Sequence, residues 1–170
     1  MHAWRDIAQA VFGAYALRLF GTHGVEHWAR VHENGVRLAE STGADAEVVA
    51  LFALFHDARR VNEGTDHGHG ARGAELARSL RGTLVHLDDR RFDLLDEACR
   101  LHTDGLTEGD PTLLACWDAD RLDLGRVGIR PDPKRLCTDA ARGLIEWAHD
   151  RALGDHFCED TLISWGIDRA

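Results

Sequence analysis

Apolar positions recur along most of the chain at spacings of three and four, with almost no strict alternation, and this periodicity predicts helices rather than strands. Ile7, Val11, Ala14, Tyr15 and Leu19 form a first amphipathic stripe, which Phe20-Gly21-Thr22-His23-Gly24 interrupts. A second helix is predicted over 25–40, with Trp28, Val31, Val36 and Leu38 supplying its apolar surface. Ser41-Thr42-Gly43-Ala44-Asp45 then provides a stop followed by an N-cap, because the Asp45 carboxylate can accept from the exposed amides of the next helix. That third segment, Val48-Val49-Ala50-Leu51-Phe52-Ala53-Leu54-Phe55, is apolar on every face. A strand competes for such a run, but the missing alternation and the flanks favour a helix through the centre of a bundle.

Residues 61–70 are rich in glycine and histidine and predict a loop, with helix resuming near Ala71 and continuing to about Leu80. Another helix begins after Asp88 or Asp89 and carries Phe92, Leu95, Ala98, Cys99 and His102. Asp110-Pro111 and Asp132-Pro133 each join an N-cap candidate to a proline suited to the first helical position, where its missing amide hydrogen is no loss. They predict helices ending near Leu124 and Leu153. The expected fold is all-α, a single compact bundle of about seven helices. No repeat or low-complexity linker divides residues 1–170, so one domain is expected.

Composition changes this picture little. A hydrophobic fraction of 44% and a charged fraction of 29% in 170 residues are those of an ordinary globular chain. A net charge of −9 excludes a broad basic surface, and with it bulk nucleic acid or an acidic membrane as partner. A small anionic substrate stays compatible, since a bound cation and a few arginines can reverse the field within one cleft. The four cysteines are far apart and form no C-x-x-C pair, so reduced thiols are expected. Met1-His2-Ala3-Trp4-Arg5-Asp6 carries no leader-like pattern and no apolar run has membrane-spanning length, so a cytoplasmic location is expected.

The eleven histidines are the unusual feature. His56-Asp57 ends the most apolar helix, a costly place for an ionised carboxylate unless a cation compensates it. Two adjacent residues cannot complete a coordination sphere, so other helices must contribute. Candidate donors are His27, His69, His102 and the run Asp118-Ala119-Asp120-Arg121-Leu122-Asp123. His23 and His27, four apart, offer an alternative two-histidine site on one helix. His2, His32, His86, His149 and His156 have no comparable setting and are expected in solvent. Arg30, one turn beyond His27, and Arg60, just after the dyad, are candidate phosphate clamps with fork-shaped donors.

The order H…HD…D resembles the signature of HD-domain phosphohydrolases, with His27 in Gly24-Val25-Glu26-His27-Trp28, then Phe55-His56-Asp57, then Ala119-Asp120-Arg121-Leu122-Asp123. The resemblance covers roughly residues 24–128. It implies a helical core in which His27, His56, Asp57 and Asp120 hold one divalent ion (Mn²⁺, Co²⁺, Ni²⁺, Fe²⁺, Zn²⁺ or Mg²⁺), with Asp118 as a supporting or alternative ligand. His69-Gly70-Ala71-Arg72-Gly73-Ala74 is similar to the H-x-x-x-G-A segment of members that bind a second ion, and His102 falls where such members place another histidine. His69 and His102 are therefore candidate catalytic residues, as ligands of a second ion or as donors to the substrate phosphate.

The chemistry so implied is hydrolysis of a phosphate ester of a nucleotide or other small phosphorylated metabolite by a metal-bound hydroxide. Ala58-Arg59-Arg60-Val61 lacks the acidic pair of alarmone hydrolases, and the H-D-I-G-K and G-Y-P segments of cyclic-di-GMP phosphodiesterases are absent. A non-catalytic nucleotide-sensing module and a di-iron oxygenase of the HD type are the rival expectations.

Overall fold

Among residues 3–168, which the computed structural model describes, the chain forms eight α-helices and no strand. They are α1 (Trp4–Ala14), α2 (Val25–Thr42), α3 (Ala46–Phe55), α4 (His69–Ser79), α5 (Asp89–Leu101), α6 (Pro111–Leu122), α7 (Asp139–Leu153) and α8 (Glu159–Ser164). Two 3-10 turns, Asp123–Val127 and Pro133–Arg135, join α6 to α7. Among the described residues, no helix is long and apolar enough to cross a membrane.

Every residue of Val48–Phe55 is buried, so α3 is the central helix, with α2, α5 and α6 packed around it. Asp45 caps α3 through the amides of Glu47 and Val48, and Gly43 ends α2 at φ 73°, a conformation that glycine adopts without strain. The Arg91 guanidinium pairs with Asp45 at 2.7 Å and so ties α5 to the start of α3. Asn34 donates to the Ala119 carbonyl at 3.0 Å, joining α2 to α6. Glycine permits one further close approach. A Cβ on Gly73 would lie 2.1 Å from the Phe55 carbonyl oxygen, so only a residue without a side chain lets α4 rest on the end of α3.

Four expectations are corrected. The helix of the first stripe ends at Ala14, where Tyr15 turns to extended backbone (φ −80°, ψ 125°). Tyr15 and Leu19 reach the core from a coil instead. Asp132-Pro133 starts only a 3-10 turn. The long helix begins at Asp139, because Thr138 caps it through the Ala141 amide and Asp118 holds the preceding backbone extended. The short α8 was not foreseen, since six residues carry too little periodicity. The thiols are free, with Cys99, Cys116 and Cys158 buried. His32 and His149 are half-buried rather than solvated, and His2 lies outside the described residues.

Candidate metal centre

Three helices deliver the four residues of the polar cluster to one place. His27 lies on the first turn of α2, His56 and Asp57 follow the last residue of α3, and Asp120 lies on the last turn of α6. His27 Nε2 is 3.1 Å from His56 Nε2, 3.7 Å from Asp57 Oδ2 and 3.4 Å from Asp120 Oδ1. His56 Nε2 is 3.8 Å from each of the two carboxylate oxygens. Ligand atoms about 2.1 Å from one ion stand roughly 3 to 3.5 Å apart, so these separations are close to those of a coordination polyhedron.

The hydrogen bonds behind the rings decide what the cluster presents. His27 Nδ1 lies 2.7 Å from Asp123 Oδ2, and His56 Nδ1 lies 3.2 Å and 3.1 Å from the carbonyls of Phe52 and Ala53. Those partners only accept, so Nδ1 carries the proton on both rings and each Nε2 turns a lone pair inward. Two imidazole lone pairs and two carboxylates then converge with no donor among them, all buried but Asp120, which is partly exposed. A cation is the partner that such a set lacks. Two imidazoles and two carboxylates, without thiolate, suit a first-row divalent ion or Mg²⁺.

Asp57 bridges to a second group. Its Oδ1 is 3.0 Å from His69 Nε2 and 3.7 Å from His102 Nε2, and the two rings meet at 3.0 Å through Nε2. His69 Nδ1 faces the Asp66 carbonyl at 2.6 Å and His102 Nδ1 the Cys99 carbonyl at 2.8 Å. Here a donor is present: Arg60 Nη1 reaches Asp57 Oδ1 at 3.4 Å and His69 Nε2 at 3.3 Å. Asp57, His69 and His102 are all buried and also have metal-capable spacing.

Burial and neighbours set the charges. Burial, then the positive charge of Arg126 and the neighbouring His56, push His27 well down, and burial brings His56 down to about 4 despite Asp57 and Asp120. Both rings are neutral at pH 7, as ligation requires. Burial alone would raise Asp57, but the surrounding His56, His102, His69 and His27 hold its carboxyl well below the usual range. Asp120 is likewise lowered, with His56, Arg126 and His27 overcoming burial. His102 goes the other way: burial opposes its proton, but the nearby carboxylates of Asp57 and Asp120 raise it.

Not every candidate faces the cluster. Arg30 is buried behind His27, with Nε 2.7 Å from Asp123 Oδ1 and Nη2 3.3 Å from Asp123 Oδ2. Its guanidinium orients the carboxylate that orients His27, which corrects the expectation of a phosphate clamp. Arg60 does border the cluster. Asp118 is engaged elsewhere, accepting from the amides of Cys137 and Thr138 and from the Thr138 hydroxyl. His23 precedes α2 and pairs with Glu63 at 2.6 Å, so it shares no helix face with His27. Two residues have roles the sequence did not assign: Asp123, named there only within the run of candidate donors, and Arg126. The i, i+3 spacing from Asp120 to Asp123 was a usable signal for the first, since it returns a carboxylate to the same side of the chain.

A family model described as the HD domain matches residues 24–125, more than half of the chain. Among solved structures, the chain is similar to the crystal structure of a predicted HD superfamily hydrolase from an uncultured Thermotogales bacterium. The two are 28% identical, with a TM-score of 0.69 over 95% of this chain and 92% of that one. No curated protein matches.

Proposed function

The chain belongs to the HD-domain family, and on that premise we propose that it is a metal-dependent phosphohydrolase, acting on a phosphate ester of a nucleotide or another small phosphorylated metabolite. The observation that carries this reading is the donor-free convergence of His27, His56, Asp57 and Asp120. These four would hold the ion. When bound, it would acidify coordinated water and take up charge on the phosphoryl oxygens.

The remaining residues have separable tasks. Asp123, gripped by Arg30, keeps the His27 proton on Nδ1 and the lone pair on Nε2. Arg60, beside Asp57 and His69, presents a guanidinium to an incoming phosphate. His102, whose protonated form Asp57 and Asp120 favour, stands where it can give a proton to a leaving oxygen. The second group of Asp57, His69 and His102 has metal-capable spacing too, but Arg60 already stands at two of its acceptors.

The test is elemental analysis of the purified protein, then a phosphatase and phosphodiesterase panel with Mn²⁺, Co²⁺, Ni²⁺ and Mg²⁺ compared. Wild-type protein is expected to release phosphate or nucleotide products, and Asp57→Ala to lose activity to background together with its bound metal. Wild-type turnover by that variant would overturn the mechanism. Nucleotide binding without product would point to a sensing module, and two irons per chain with oxygen uptake to an oxygenase.

A further inference from the structure

The cluster is sealed on most sides. The side chains of His27 and His56 are 0% exposed and that of Asp57 3%, whereas Asp120 is 19% exposed. Asp120 and His102 lie on the wall of a cavity of about 520 Å³, between the end of α6 and the segment 129–136. A ligand touching the ion from that side must place the rest of itself there.

The lining says what that remainder is. Leu124, Ile129 and Leu136 contribute hydrocarbon, and Ile129 is 53% exposed, an apolar side chain in search of cover. Arg121 and Arg135 line the same cavity. Arg121 is fixed by carbonyls, with Nη2 2.7 Å from Leu106 O and Nη1 2.9 Å from Arg135 O, and meets no carboxylate among the described residues. The Arg135 guanidinium forms no ion pair with any described residue. Arg130 differs, being paired with Glu146, and Asp132, on the same wall, caps the Lys134 amide but keeps its negative charge. In a chain of net charge −9, two guanidiniums without a carboxylate partner at one hydrocarbon-lined cavity, against Asp132 and the metal-facing Asp120, mark a local anion site. The other cavity at the cluster, past Arg60 and His69, is lined by the polar 64–70 loop, Arg100, Thr103 and Asp104 and offers an apolar group nothing.

Resting on the phosphohydrolase reading, we infer that the cavity beyond Asp120 seats the ester's leaving group, and that this group is an apolar ring bearing a second negative charge, recognised by Ile129 and Arg135. Both residues lie outside the 24–125 family match, so selectivity is written in a segment separate from the metal-binding motif.

Three non-hydrolysable phosphonates test this by calorimetry on the metal-loaded protein: ethylphosphonate, benzylphosphonate and 4-carboxybenzylphosphonate. The benzyl compound is expected to bind about tenfold more tightly than the ethyl, and the carboxylate to add a further severalfold gain. Ile129→Asp collapses the first ratio and Arg135→Ala the second, with circular dichroism and metal content verifying each variant. Ratios near one in the wild type, or ratios that survive both substitutions, overturn the inference. The matching phosphate esters separate it from the reading beneath. Hydrolysis of all three without ring preference sinks the cavity assignment alone. The expected binding ratios without turnover sink the hydrolase reading and leave the cavity standing.

Discussion

The two halves of the cluster share Asp57 and use the same residue types, yet they are built to different ends. Around His27 and His56 every inward atom is an acceptor, and His27 is backed by a carboxylate that Arg30 itself clamps. Around His69 and His102 the rings are backed by neutral carbonyls, and Arg60 already supplies a positive donor to Asp57 and His69. The first half has no donor of its own, whereas the second already has a guanidinium at its acceptors. Metal affinity thus follows from which donors reach the acceptors, not from counting histidines and aspartates.

The largest effect that separates the halves is expected from Asp123→Asn. Losing the charged partner of His27 should weaken binding of the first ion on the order of 10–100-fold in a metal titration. Unchanged affinity would mean that the backing of His27 is immaterial and that the contrast is false. Arg60→Ala comes next. It removes the resident cation of the second half, so bound metal at saturation should rise from one ion per chain toward two by elemental analysis. Equal stoichiometry in wild type and variant would show that Arg60 does not hold that place.

The smallest effect is spectroscopic. In an NMR titration of the metal-free protein, His102 should gain its proton above the ordinary histidine value of 6.5, and His56 only near 4. The stability contributions have opposite signs. His27 and His56, depressed in the fold, lose theirs as pH falls from about 6.5, because the unfolded chain takes up the protons first. That of His102 is present at low pH and lost as pH rises through its folded value. Concerted titration of all three rings would erase the distinction.

Much of this molecule is local in origin and therefore legible in one dimension. The apolar run Val48–Phe55, the Asp45 cap and the proline after Asp110 act on their own neighbours within a turn, and each stands where the pattern placed it. The order of His27, His56-Asp57 and Asp120 marked the residues that meet. Where competition between segments decided the outcome, local signals failed. Asp132-Pro133 carries the mark of a helix start, but Asp118, fourteen residues earlier, grips Cys137 and Thr138 and moves the start to Asp139.

The sequence by itself determined an all-helical chain with an HD-type order of donors. Only the tertiary structure decided that Asp120 rather than Asp118 turns toward His27, that Arg30 lies behind that ring, and that Arg60 fills the second half. The physical reason is that helical period sets which face of its own helix a side chain occupies. What that face meets depends on the rotation and separation of helices, which the packing of the whole core imposes, down to the missing side chain of Gly73 against Phe55.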